Sequence, residues 1–203
     1  GRLNQTAYSF FLFIRDLVGQ DFVGWIDQQL AGIPAKPTDP TFERQLQEAL
    51  IGPMRHVYGV SDKILAMTLS EILMSASSNR PLWFRAGRTM IAVDTLVHNF
   101  LHRTGILTAC GSDHAYGVAC YRAGGCADVL RTVAHLIDAR RFNPAFPRAF
   151  PRFVQHALWR YCAADGLNIC NGNQIDDRKP CQARHCAIFI TCDRKPLKMT
   201  KNQ

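Results

Sequence analysis

Apolar residues recur at three- and four-residue spacing through residues 3–18 and again through 22–30, the period of an amphipathic helix. "IPAKPTDPT", residues 33–41, interrupts the pattern with three prolines and reads as a loop. The helical period resumes in "DPTFERQLQEAL", where Asp39 or Thr41 can cap the first turn and Glu43 lies within it. "GPMRHVYGVSD" holds a short helix and a turn, and "KILAMTLSEILMSA" is a strongly apolar helix that "SSNRP" ends. "VDTLVHNFLHRTGIL" begins another, with Asp94 or Thr95 at its start and Gly105 at its end. "CADVLRTVAHLIDARR", a proline-spaced "FNPAFPRAFPR" and "FVQHALWRYCAA" follow. No stretch alternates apolar and polar positions as a half-buried strand does, so the expected class is all-α, with a loop-rich cysteine tail and no internal repeat.

At 203 residues and 47% apolar content, the chain can bury one good core and a small satellite. Its apolar runs, such as "AYSFFLFI" from Ala7, meet Arg15 and Asp16 well short of the roughly 20 residues a membrane span needs, so no membrane partner is expected. Twenty-four Lys and Arg against sixteen Asp and Glu leave a net charge of +8. That balance favours polyanions, nucleic acid first, through counterion release. A moderately basic protein without such a partner is the plainer alternative. No charged stretch followed by an apolar core and a cleavage site leads the chain, and the expectation is an intracellular protein of the cytoplasm, nucleoid or nucleus.

Cys110, Cys120, Cys126 and Cys162 are scattered, whereas Cys170, Cys181, Cys186 and Cys192 crowd together as C-x10-C-x4-C-x5-C. In a reducing compartment such thiols hold a metal rather than disulfides, and the spacing leaves tetrahedral zinc and an iron–sulfur cluster both open. Cys162 or His185 could replace one ligand. Elsewhere the candidate chemistry is thinner. His98 and His102 stand at i and i+4, where two imidazoles can share a metal, but no Glu completes a hydrolytic zinc motif. A core-plus-surface pair is the preferred reading. No Ser-His-Asp set or Walker-type phosphate loop is recognisable, "GCADVL" from Gly125 reads as a helix entry, and "ACGSDHAYGVACYRAGGC" (109–126) has no recognisable counterpart.

Three stretches, in this order along the chain, resemble the helix-hairpin-helix superfamily of DNA glycosylases, and its endonuclease III-like branch in particular. "YGVSDK" resembles the second half of the hairpin, whose pattern in bifunctional members is Gly-apolar-Gly-x-Lys, with Ser61 in place of the second glycine and Lys63 at the lysine. "MIAVDTLVHNFLHRTG" resembles the catalytic segment, in which Val-Asp-Thr opens a helix and a polar-Arg-Thr triplet follows at the distance of His102, Arg103 and Thr104. "GLNIC...RKPCQARHCAIFITC" is similar to the C-terminal iron–sulfur loop; the last interval matches and the first two are longer here, which keeps zinc open beside a 4Fe-4S cluster. The interval from Lys63 to Asp94 is also longer than in endonuclease III-like members, and "SSNRPLWFRAGR" (77–88) supplies the extra length.

The resemblance implies a monomeric, two-lobed helical bundle with residues 22–105 as one lobe and 1–21 plus 106–203 as the other. It implies a base-excision repair enzyme, a DNA N-glycosylase with AP lyase activity, that binds duplex DNA and flips out a damaged or modified base. Lys63 would be the Schiff-base nucleophile, and Asp94 would stabilise the oxocarbenium ion and assist proton transfer. Gly59, Val60 and Ser61 would hold a phosphate, Gln20 would fill the gap left by the flipped nucleotide, and Trp83, Arg85 and Arg88 would suit a DNA-facing loop, an ordinary surface insertion being the alternative for that loop. Cys170, Cys181, Cys186 and Cys192 would ligate the cluster. Two alternatives stay open: a monofunctional glycosylase in which Asp94 activates water, and a catalytically silent DNA-binding module. Asp94 is also an expected helix cap with or without chemistry.

Overall fold

In a computed structural model of the chain, residues 1–76 and 79–197 are described. Among them the regular structure is helical throughout, as the periodicity predicts. The chain divides into two compact units, residues 1–92 and 93–203.

The first unit contains α1 (Arg2–Phe13), α2 (Phe22–Ala31), α3 (Phe42–Met54), α4 (Asp62–Met74) and α5 (Pro81–Gly87). α1 runs on into a wider π-helical turn, Ile14–Val18, which Gly19 stops in the left-handed conformation. Asp21 then caps α2 by accepting a hydrogen bond from the Gly24 amide at 2.8 Å. The apolar faces of these helices meet in one core through Phe13, Trp25, Leu46, Leu50, Leu69 and Leu73. Each fully buried leucine among them contributes on the order of 2 kcal/mol by leaving water. Pro53 stands near the C-terminal end of α3, where a missing amide interrupts little of the helix. The "SSNRP" stop predicted after α4 falls partly on residues 77 and 78, outside the described residues; α4 itself ends at Met74.

α5 replaces part of the surface insertion expected over 77–88. Pro81 presets φ at its first turn. Trp83 is only 6% exposed, within the core, and its indole N–H donates to Asp27 at 2.5 Å. The tryptophan is thus a packing residue of the first unit rather than a DNA-facing one.

The second unit contains α6 (Thr95–Arg103), α7 (Ile106–Ala109), α8 (Cys126–Leu136) and α9 (Pro151–Cys162), with single 3-10 turns at Val118–Tyr121 and Ala139–Arg141. α6 and α8 both pack on α9. The proline-spaced stretch before α9 folds its phenylalanines together: the Phe146 ring lies 5.3 Å from Phe150 and 5.2 Å from Phe153, centroid to centroid. Beyond α9 the cysteine tail has no regular helix among the described residues.

These boundaries differ from those drawn on the sequence. Residues 1–21 join the first unit because Phe13 and Val18 are buried in its core. The segment 93–105 joins the second unit because α6 packs on α9 and α7. Among the described residues no helix is long and apolar enough to cross a membrane.

Candidate functional site

Lys63 belongs to the first unit. α3 and α4 are joined by residues 55–61, in which Gly59 takes a left-handed φ of +75° and the Val60 amide closes a turn on the Val57 carbonyl. A side chain at position 59 would be strained by that φ, and its Cβ would lie 2.7 Å from Thr6 Oγ1. Ser61 stands at the N-cap of α4 in extended conformation, φ −105° and ψ 162°, so the position needs no glycine. Its hydroxyl caps nothing, and the first intrahelical bond runs from the Leu65 amide to the Ser61 carbonyl. The amides of Asp62, Lys63 and Ile64 therefore lack an intrahelical acceptor. Arg55 binds Asp62 at 2.9 Å, neutralising the acidic residue of that first turn. Lys63, second residue of the helix and half-buried, forms no ion pair among the described residues.

Asp94 belongs to the second unit and is the N-cap of α6: its carboxylate accepts from the Val97 amide at 2.9 Å. The residue before it is held firmly. The Tyr121 hydroxyl accepts from the Val93 amide at 2.7 Å and donates to the Val93 carbonyl at 3.2 Å. The other end of α6 receives the cysteine tail, where the Lys195 amide bonds the Arg103 carbonyl at 2.9 Å and the Cys192 thiol lies 3.7 Å from the same oxygen. Gly105, just past this end, turns left-handed with φ +82°, and Asp193 fills the space a side chain there would need.

Arg103 is 1% exposed and bonds Asp177 at 2.5 Å. Its Nε and Nη1 atoms have no oxygen or nitrogen partner among the described residues. The Cys170 thiol is shifted downward chiefly by a hydrogen bond from Cys162, with the Arg103 guanidinium adding to the effect. Arg103→Ala would leave the Asp177 carboxylate without its partner and empty a buried volume. It is expected to cost about 3 kcal/mol, read in denaturant unfolding, whereas truncating a surface arginine such as Arg178 should leave the unfolding midpoint nearly unchanged.

The tail thiols share one neighbourhood. Burial raises the Cys192 thiol, and the charges of Cys170, Cys181 and Cys186 raise it further. The Arg194 amide donates to the Cys192 sulfur at 3.3 Å, and the Tyr161 hydroxyl lies 3.0 Å from the Cys186 sulfur. Two of the four sulfurs thus have an N–H or O–H neighbour, but among the described residues the tail thiols do not form a group of three or more ligand atoms close enough to hold a metal ion. Cys162, fully buried beside Cys170, is a fifth thiol at the edge of this neighbourhood.

A tighter group lies elsewhere. His98, His114, Cys120 and Cys126 bring one ligand atom each within 4.8 Å of one another, and they could hold a metal ion. The sequence hints at them only weakly. Cys120 and Cys126 are separated by five residues, as are His114 and Cys120, but His98 lies a helix and a loop away. The visible i, i+4 pairing of His98 with His102 is not the one that forms this group; the His98 ring lies 5.2 Å from His114 and 6.3 Å from His102. Burial and the neighbouring His98 charge depress the His102 imidazole.

Of the arginines expected to face DNA, Arg88 bonds Glu43 at 2.8 Å, and Arg85 sits 4.6 Å over the Phe42 ring while bonding the Pro37 carbonyl at 2.7 Å. Both are engaged with α3 and the proline loop before it. Gln20 is exposed, with a positive φ of +70° after Gly19. Comparison with protein-family models, with curated proteins and with solved structures finds no match for this chain.

Proposed function

We propose that the chain is a base-excision DNA glycosylase with AP lyase activity, a reading that rests on its resemblance to the helix-hairpin-helix superfamily. The observation that carries it furthest is the organisation of α6. One nine-residue helix opens on the Asp94 carboxylate and closes on the Arg103 and Thr104 carbonyls that bind the cysteine tail. The stretch that resembles the catalytic segment thus forms α6, and the residues that follow the last tail cysteine dock on the C-terminal end of that helix. The uncapped amides of Asp62, Lys63 and Ile64, preceded by a left-handed glycine, add a backbone suited to a phosphate contact that reads no sequence.

In this reading the enzyme extrudes the target nucleotide, because a stacked base is out of reach of a nucleophile. Cleavage of the N-glycosidic bond builds positive charge at C1′, which the Asp94 carboxylate stabilises electrostatically. The neutral amine of Lys63 attacks C1′ as the base departs, and the amine proton leaves with the departing base. The sugar ring then opens to the imine, and β-elimination expels the 3′-phosphate. The tail thiols would ligate a 4Fe-4S cluster, with zinc as the alternative. When bound, such a group acts structurally, bracing a tail that carries Arg178, Lys179, Arg184, Arg194 and Lys195 for contact with DNA phosphates.

A panel of duplex oligonucleotides, each bearing one oxidised, deaminated or otherwise modified base, tests the reading when scored with and without alkali. Strand cleavage without alkali on at least one lesion is the expected result. Cleavage only after alkali makes the enzyme monofunctional. Binding without product on every lesion overturns the enzymatic reading in favour of a silent module.

A further inference from the structure

We propose that His98, His114, Cys120 and Cys126 form a closed, structural zinc site that anchors α6 to the loop of residues 112–125 and to the start of α8. The inference does not depend on the glycosylase reading and concerns residues outside the cysteine tail.

Three of the six donor–donor distances are close to those of a tetrahedron, and all six lie within 4.8 Å. Zinc–nitrogen bonds of about 2.0–2.1 Å and zinc–sulfur bonds of about 2.3 Å, at tetrahedral angles, set nitrogen and sulfur about 3.6 Å apart. Here His98 Nδ1 lies 3.3 Å from Cys126 Sγ and 3.6 Å from Cys120 Sγ, and His114 Nε2 lies 3.3 Å from Cys126 Sγ. The second ring nitrogen of His114, Nδ1, lies 2.5 Å from the Ser112 carbonyl. A proton on Nδ1 donated to that oxygen leaves the Nε2 lone pair facing the cluster, the arrangement that orients a metal-bound histidine. His98, Cys120 and Cys126 are buried and His114 partly so. Four protein ligands leave no open position for substrate or water, which makes the site structural rather than catalytic. Two thiolates also balance the charge of a divalent ion, so the buried centre is neutral overall.

The local backbone brings the two cysteines together. Cys126 is the first residue of α8, and Gly125 precedes it where a Cβ would lie 2.2 Å from the Ala119 carbonyl oxygen. Only glycine lets the entry to α8 approach the 3-10 turn that carries Cys120. A metal ion held there would ligate both sulfurs as thiolates. Apart from the single 3-10 turn the loop has no regular structure, and an ion is a source of order that its composition lacks. Through Tyr121, one residue after Cys120, the ordered loop holds both polar groups of Val93, next to Asp94. The zinc would therefore position the start of α6.

Elemental analysis of the purified full-length protein, with zinc K-edge absorption spectroscopy, tests the assignment. The expected result is a zinc ion with equal nitrogen and sulfur shells, and the loss of one equivalent of zinc in both His114→Ala and Cys126→Ser. Cys181→Ser, in the tail, should leave that N2S2 zinc in place. Zinc content equal to the parent in His114→Ala and Cys126→Ser would overturn the proposal. So would an all-sulfur zinc shell, iron in place of zinc at these residues, or a disulfide joining Cys120 to Cys126 in protein prepared without oxygen. The spectrum of the parent decides the matter even if a variant fails to fold.

Discussion

Asp94→Asn is expected to lower the rate of base release on the order of 10³-fold while leaving the stability of the second unit nearly unchanged. Asparagine caps a helix about as well as aspartate, so it keeps a side-chain acceptor for the Val97 amide. What it lacks is the negative charge that a developing cation at C1′ requires, and the loss of one such stabilising group in a dry site costs on the order of 10²–10³ in rate. Asp94→Ala separates the two roles further. It should lose the same activity and also about 1 kcal/mol of stability, because the first turn of α6 loses its cap. If Asp94 were a cap and nothing more, Asp94→Asn would match the parent protein in both single-turnover base release and unfolding.

Lys63→Gln should remove strand cleavage in the absence of alkali and leave duplex affinity within a few-fold. Glutamine has nearly the length of lysine and keeps the helix amide, so the proposed backbone contact to phosphate survives. It cannot form an imine. The fold should be undisturbed, since the Lys63 ammonium makes no ion pair among the described residues and α4 is held instead by Leu65, Ala66, Leu69 and Leu73. The variant is therefore a test of chemistry with little structural cost. A drop in affinity of several orders of magnitude would instead make Lys63 a phosphate contact.

Much of the helical organisation is legible in residue spacing. The breaks at the 33–41 loop and at Gly105 coincide with changes in periodicity, and Asp94 caps α6 as its position before an apolar helix predicts. α5 was hidden because its seven residues are too few for a clear period. The tryptophan and arginines around it look like surface chemistry until Asp27, Glu43 and Phe42 are seen to receive them. The division into units was misplaced for a related reason. Sequence order puts α6 beside the helices before it, whereas its buried face packs on α9, nearly fifty residues on. The histidine–cysteine group is hard to see in the sequence because its four residues come from a helix, an irregular loop, a 3-10 turn and a helix start, a combination with no fixed spacing. Local periodicity reports only neighbours on the same element, and a group of side chains brought together from four of them leaves little trace in it.

Incubating the protein with a lesion-bearing duplex in the presence of sodium borohydride tests the central claim most directly. The reading predicts a covalent protein–DNA adduct whose attachment maps to Lys63 by peptide mass analysis, and its absence in Lys63→Gln although that variant still binds the duplex. An adduct of undiminished yield in Lys63→Gln, or none with the parent protein on any lesion in the panel, would contradict it.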